Sequence, residues 1–196
     1  MRISIRLILI LVILIFPIRS VLSQQSNFNR ISTIYTGTDA WKSWWIDVNG
    51  TSGRLETVFS GNDSWREWRI TFQNYSGYIS TIFTGDDAWK SWRFDFNDCS
   101  GYIRTIFNGD DAWKEWEVYT GSKRLYIRTL YSGSDAWKNW QINGPNGNMN
   151  VSTTFSGSDA WRSWSVSDFM RDEEMCLKIS SVFVCMISSI RQQSLK

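Results

Sequence analysis

Between Ile31 and Val166 the chain alternates apolar and polar residues in two short stretches, and this pair of stretches returns every 24 residues. In the first stretch Ile79, Thr81 and Phe83 hold every second position. Their counterparts are Ile31, Thr33 and Tyr35; Leu55, Thr57 and Phe59; Ile103, Thr105 and Phe107; Ile127, Thr129 and Tyr131; and Val151, Thr153 and Phe155. A period of two is that of a strand and puts each trio on one face. The second stretch continues with Trp68, Ile70 and Phe72, with Trp92, Phe94 and Phe96, and with Trp116 and Val118 on one side. Arg69 and Thr71, Arg93 and Asp95, and Glu117 and Tyr119 fall on the other. Each unit thus predicts two strands with one dry, uniform face and one polar, variable face. Runs of turn-forming residues, such as 97–101 and 143–147, read as loops between units.

The connection inside each unit carries a signature, Gly-x-Asp-Ala-Trp-basic-x-Trp with Ser for Ala in the second unit, and its Gly falls at 37, 61, 85, 109, 133 and 157. No insertion or deletion interrupts the period, so each unit meets its neighbour in the same way. The expected fold is all-β: six tandem 24-residue β-hairpin repeats, about twelve short antiparallel strands, followed by a C-terminal amphipathic helix. One hairpin buries too little apolar surface to offset the entropy of ordering its residues, so the units must share their faces. An open solenoid-like sheet, a closed toroid or barrel, and a trefoil-like grouping in pairs all do this, and the linear repetition suggests the open form first. A two-stranded unit is too small for a four-stranded propeller blade.

The ends differ from the array. Residues 1–23 read as a signal peptide: Arg2 and Arg6 precede an apolar run from Leu7 to Phe16, and Pro17 and a cleavage point after Ser23 close it. The run is about half the length of a membrane span, so no integral span is expected after cleavage. The six-repeat β domain then covers 24–168 and a helical cap or tail covers 169–196. Ser167 or Asp168 is the expected helix cap, Asp172, Glu173 and Glu174 lie near its positive end, and Met175, Ile179, Val182, Phe183, Met186, Ile187 and Ile190 fall on one helical face. Such a stripe suits a helix covering the open end of a repeat stack, with a membrane-surface helix as the weaker alternative.

Composition narrows the chemistry. The chain of 196 residues has no His, which removes imidazole metal sites and Ser-His or Cys-His catalysis. Three Cys, at 99, 176 and 185, do not make a disulfide framework or a thiolate zinc site. Losing Arg2, Arg6 and Arg19 with the signal brings the 21 basic residues to one below the 19 acidic ones, so neither nucleic-acid binding nor long-range charge steering is expected. Thirteen Trp, eleven Phe and seven Tyr favour a binding or structural module over an enzyme, with no cofactor and no metal. Four sequons, at Asn49, Asn62, Asn74 and Asn150, are glycosylation acceptors if the host glycosylates secreted chains.

Three rows of repeated residues are the candidate chemistry. Asp39, Asp63, Asp87, Asp111, Asp135 and Asp159 either fix the turn as Asx acceptors or grip sugar hydroxyls; the doubled acids Asp86–Asp87 and Asp110–Asp111 are too few for calcium. Trp44, Trp68, Trp92, Trp116, Trp140 and Trp164 keep the strand alternation and read as core. Trp41, Trp65, Trp89, Trp113, Trp137 and Trp161 are out of phase with it. Unless a bulge or helical turn re-aims them they face the other way, as ligand-binding rings beside the Asp row; the alternative is stacking between units. The residue after each is Lys or Arg (42, 66, 90, 114, 138, 162), which suits an ion-pair ladder with the Asp row. The expected function is a secreted, extracellular, multivalent, lectin-like protein whose partner is a glycan or polysaccharide. The alternative is a structural or adhesive extracellular repeat protein that binds a protein partner or matrix.

Overall fold

The structure, a computed structural model, describes residues 27–73 and 75–193; the signal segment 1–23 and the sequon Asn74 lie outside these. The strands are β1 (Phe28–Thr33), β2 (Ser43–Val48), β3 (Thr51–Thr57), β4 (Glu67–Phe72), β5 (Tyr75–Thr81), β6 (Ser91–Phe96), β7 (Ser100–Thr105), β8 (Glu115–Tyr119), β9 (Arg124–Thr129), β10 (Asn139–Gly144), β11 (Gly147–Thr153) and β12 (Ser163–Asp168), and one helix, α1 (Met175–Gln193), follows them. All neighbours pair antiparallel, and β1 also pairs with β12 through Ile31 opposite Trp164, so the sheet is a closed barrel. Closure, rather than an open or trefoil-like array, leaves no unit without a neighbour and no exposed sheet edge.

The dry face of the alternation is the inside of the barrel. Ile31, Leu55, Ile79, Ile103, Ile127 and Val151 of the odd strands are buried, as are the second Trp and the following apolar residue of each even strand. Where the inward phase brings β5 and β7 close to their neighbours the residue is glycine: a Cβ on Gly77 would lie 2.5 Å from the Asp95 carbonyl oxygen, and one on Gly101 would lie 2.1 Å from that of Tyr119. The outward phase carries the variable residues, among them Arg69, Arg93, Tyr78 and Tyr102.

The helix is not a cap over an open end. Every residue from Cys176 to Ile190 is buried, including Lys178, Ser180, Ser181, Ser188 and Ser189, so no face is left for solvent or for a membrane surface. It lies inside the barrel: Phe183 meets the rings of Trp68 and Trp92, and Ser189 Oγ lies 3.1 Å from the Trp137 carbonyl oxygen. Twelve strands spaced ~4.8 Å and tilted ~40° close to a diameter of about 24 Å, wide enough for a helix once a layer of side chains is subtracted. The helix starts at Met175, not at Ser167 or Asp168, because β12 runs on to Asp168 opposite Met149. Asp168 then holds the buried Lys178 at 2.8 Å, and Lys178 also donates to the Met170 carbonyl oxygen at 2.8 Å. A disulfide joins Cys176 to Cys99 in the β6–β7 connection, and Cys185 is a buried free thiol.

Candidate functional site

The six connections from odd to even strands all lie at one end of the barrel, the end toward which the C-terminal turn of α1 points. Each carries a glycine at φ between +89° and +98°, a backbone region open to Gly at little cost. The amide of the residue three positions on donates to its carbonyl, as in Ala88 to Gly85 at 3.2 Å, and a second turn closes from Lys90 to Asp87 at 3.0 Å. The resulting turn of 3-10 helix, Ala88–Lys90 in the third unit, rotates the first Trp by the amount that strand alternation alone does not supply.

That rotation corrects the expected orientation of the first Trp row. Trp41, Trp89, Trp113, Trp137 and Trp161 are buried and Trp65 is half-buried. Each ring packs on the second Trp of the next unit: Trp41 on Trp68, Trp65 on Trp92, Trp89 on Trp116, Trp113 on Trp140, Trp137 on Trp164, and Trp161 back on Trp44, with centroids 5.8–6.2 Å apart. Within each unit the second indole N–H donates to the first Trp's carbonyl, as in Trp116 to Trp113 at 2.7 Å. Twelve Trp thus form a closed belt around the helix.

The Asp row is exposed. Asp39, Asp63, Asp87, Asp111 and Asp135 stand at the N-cap of their turns and make no side-chain cap bond, so the Asx role is not what holds these connections. Each Asp of the row pairs instead with the base three residues later, from Lys90 to Asp87 at 2.7 Å to Arg162 to Asp159 at 3.7 Å. The same six cations lie 5.2–5.6 Å from the centroids of the first Trp rings. The face of each first Trp is therefore covered by its own unit's base as well as by the next unit's ring.

A different aromatic row is open. Tyr35, Phe59, Phe83, Phe107, Tyr131 and Phe155 stand two residues before each glycine and are 56–64 % exposed. They continue the inward phase of the odd strands but lie past the last strand residue, where no partner strand covers them. Ile82, Val58, Ile106 and Leu130, one residue earlier, are also exposed. The signal for this row was the 24-residue recurrence itself; alternation placed these rings inside because it does not show where the barrel ends. Between the third and fourth units this crown opens into a cleft of about 370 Å³ lined by Asp87, Trp89, Lys90, Asp110, Trp113 and Arg191. Arg191, from the last turn of α1, lies 4.4 Å from the Trp89 centroid, and burial lowers its pKa against the opposing pull of Asp87 and Asp86.

The sequons differ in setting. Asn49 and Asn62 are exposed, Asn62 within a crown connection, and Asn150 is half-buried on β11 opposite Gln141 and Ser167. No protein-family model, curated protein or solved structure matches this chain.

Proposed function

We propose that the chain is a secreted, multivalent, lectin-like protein that binds a glycan or polysaccharide through its crown. The observation that carries this reading is the row of six exposed aromatic rings, each with an exposed carboxylate in the same connection. A ring offers an apolar face to sugar C–H groups, and Asp39, Asp63, Asp87, Asp111, Asp135 and Asp159 offer acceptors to hydroxyls. The first Trp row serves each site from beneath, as the floor that fixes the connection. Weak sites in sixfold repetition gain avidity on a polymer, by about 10² to 10⁴ over one site. The Cys99–Cys176 disulfide is in keeping with an oxidising, extracellular setting, in which Asn49, Asn62, Asn74 and Asn150 would be acceptors.

The second reading, an adhesive protein with a protein or matrix partner, draws support from the exposed aliphatic residues Val58, Ile82, Ile106 and Leu130 beside the rings. Retention of the secreted chain on cellulose, chitin and mannan columns separates the two. The expected result is retention on a polysaccharide that falls at least tenfold in the triple variant Phe83→Ala, Phe107→Ala, Tyr131→Ala. A folded chain that passes all three columns, or a triple variant retained as well as the parent, overturns the glycan reading.

A further inference from the structure

A further cavity lies away from the crown. It is an open groove of about 580 Å³ on the outer wall, lined by Tyr78, Tyr102 and Tyr119 with Arg93, Asp95 and Glu67 among the polar residues. Register explains it. Tyr102 on β7 is directly opposite Arg93 on β6, and Tyr78 on β5 is directly opposite Asp95, so the two tyrosines stand on either side of β6, offset by two residues along it and about 12 Å apart. Asp95, two residues on, shares the same outward face. Tyr78 and Tyr102 are 48 % and 50 % exposed, and no cation stacks on either among the described residues. The first, second and sixth units have Arg30, Arg54 and Asn150 where these tyrosines stand; the fifth has Tyr126, but it lies opposite Glu117, which Arg104 and Arg124 hold, so the groove belongs to one sector of the barrel and not to the sixfold pattern.

The polar groups in the groove are free in a way that their equivalents are not. Arg69, one unit earlier than Arg93, is paired with Glu56, and Arg104 and Arg124 are both paired with Glu117. Arg93 makes one bond, from Nε to Ser80 Oγ at 3.2 Å. Asp95 has no ion pair among the described residues, whereas its first-unit counterpart Asp47 accepts from Gly50 N at 2.9 Å and from Asn29 Nδ2 at 3.3 Å. The first unit's own aromatic on this wall, Trp45, is covered by Arg54 at 4.9 Å. Among the described residues, it is around Arg93 and Asp95 that half-exposed tyrosines, a guanidinium without an ion pair and a carboxylate without one meet, with Tyr102 backed on one side by the Tyr119 ring at 5.7 Å.

We propose that this groove is a second saccharide site, one per chain, for an uncharged pyranose unit of a soluble oligosaccharide. The ring faces rest on Tyr78 and Tyr102. Sugar hydroxyls both donate and accept, and they bridge Arg93, which donates, to Asp95, which accepts. The carboxylate sets the groove against acidic sugars, which Arg93 alone would favour. The ligand class rests on the glycan reading above, but the site does not include the crown.

Calorimetric titration of the secreted chain with soluble cello-, chito-, manno- and galacto-oligosaccharides tests it. One of them is expected to bind at one per chain, with affinity reduced about tenfold or more in Tyr102→Ala and in Arg93→Ala, retained in Tyr102→Phe, and unchanged in the crown triple variant. Thermal melts of the variants confirm that each is folded. No binding of any of the four, binding at six per chain, or one-to-one binding that survives both Tyr102→Ala and Arg93→Ala overturns the groove. Polymer retention that depends on the crown residues, with no one-to-one site, overturns the groove while leaving the crown reading standing. One-to-one binding in the groove with no crown-dependent retention does the reverse.

Discussion

The indole N–H of each second Trp is buried and bonded to a carbonyl three residues earlier, while its ring edge or face meets the preceding unit's first Trp. One residue thus fastens its own turn and its neighbour's. Replacing Trp116 by Ala removes both fastenings and a fully buried ring, and is expected to destabilise the barrel by about 3–5 kcal/mol in urea unfolding. Phe107→Ala removes a ring of similar character that touches mostly water, and its expected cost is under about 0.5 kcal/mol. Equal costs for the two would contradict the division between belt and crown. Cys185 gives a pH test at the same scale. Burial pushes its thiol well above the usual value, so the folded chain keeps the proton that the unfolded chain gives up near pH 8.5. Its contribution to stability is therefore intact below pH 8.5 and falls by about 1.4 kcal/mol per pH unit above it. The slope is expected to be shallower in Cys185→Ala, read by urea midpoints at pH 7.5 and 9.5, and the native thiol should not react with a maleimide at pH 8.

Among the elements, the strands were legible in the sequence and the helix's place was not. Period-two spacing marked the inward rows at Ile31, Leu55 and Trp68 because one side of every strand is wet. The stripe from Met175 to Ile190 also marked a helix, but a stripe on one side does not tell whether the other side, with Ser180, Ser181, Ser188 and Ser189, meets water or protein. Ser189 Oγ bonds back to Cys185 O at 2.6 Å, and Ser180, Ser181 and Ser188 are buried although their hydroxyls have no partner among the described residues, so a serine here does not place a face in water. The first Trp row escaped alternation for a local reason, the 3-10 turn, whose Gly and Asp were visible but whose rotation was not. If α1 fills the barrel, the barrel depends on it. A chain ending at residue 174 is expected to lose the near-ultraviolet dichroism of its Trp belt and to melt without cooperativity, whereas a cap could be removed with the array intact. The Cys99–Cys176 bridge closes 77 residues, and opening it by Cys99→Ser with Cys176→Ser should cost about 4.5 kcal/mol by chain entropy.

At the scale of the whole molecule the number of units is set by the helix. An open repeat stack loses or gains a unit at the cost of that unit's own contacts, since each repeat touches only its neighbours. A closed barrel does not have this freedom, because its diameter rises with strand number. Strict spacing of the six glycines told that the units are equivalent but could not tell the two cases apart, since every neighbour contact is the same in both. Closure shows only in the pairing of β1 with β12 and of Trp161 with Trp44, contacts between residues more than a hundred positions apart. Deleting residues 57–80 removes one full period and neither cysteine of the disulfide. Ten strands at the same tilt close to about 20 Å instead of about 24 Å, which takes away the room of the Trp layer on one side of α1. The deletion variant is expected to be insoluble or molten, with exposed apolar surface that binds a hydrophobic dye. A cooperative melt near the parent's, with a native-like Trp spectrum, would mean that the units stack without needing the ring to close around the helix.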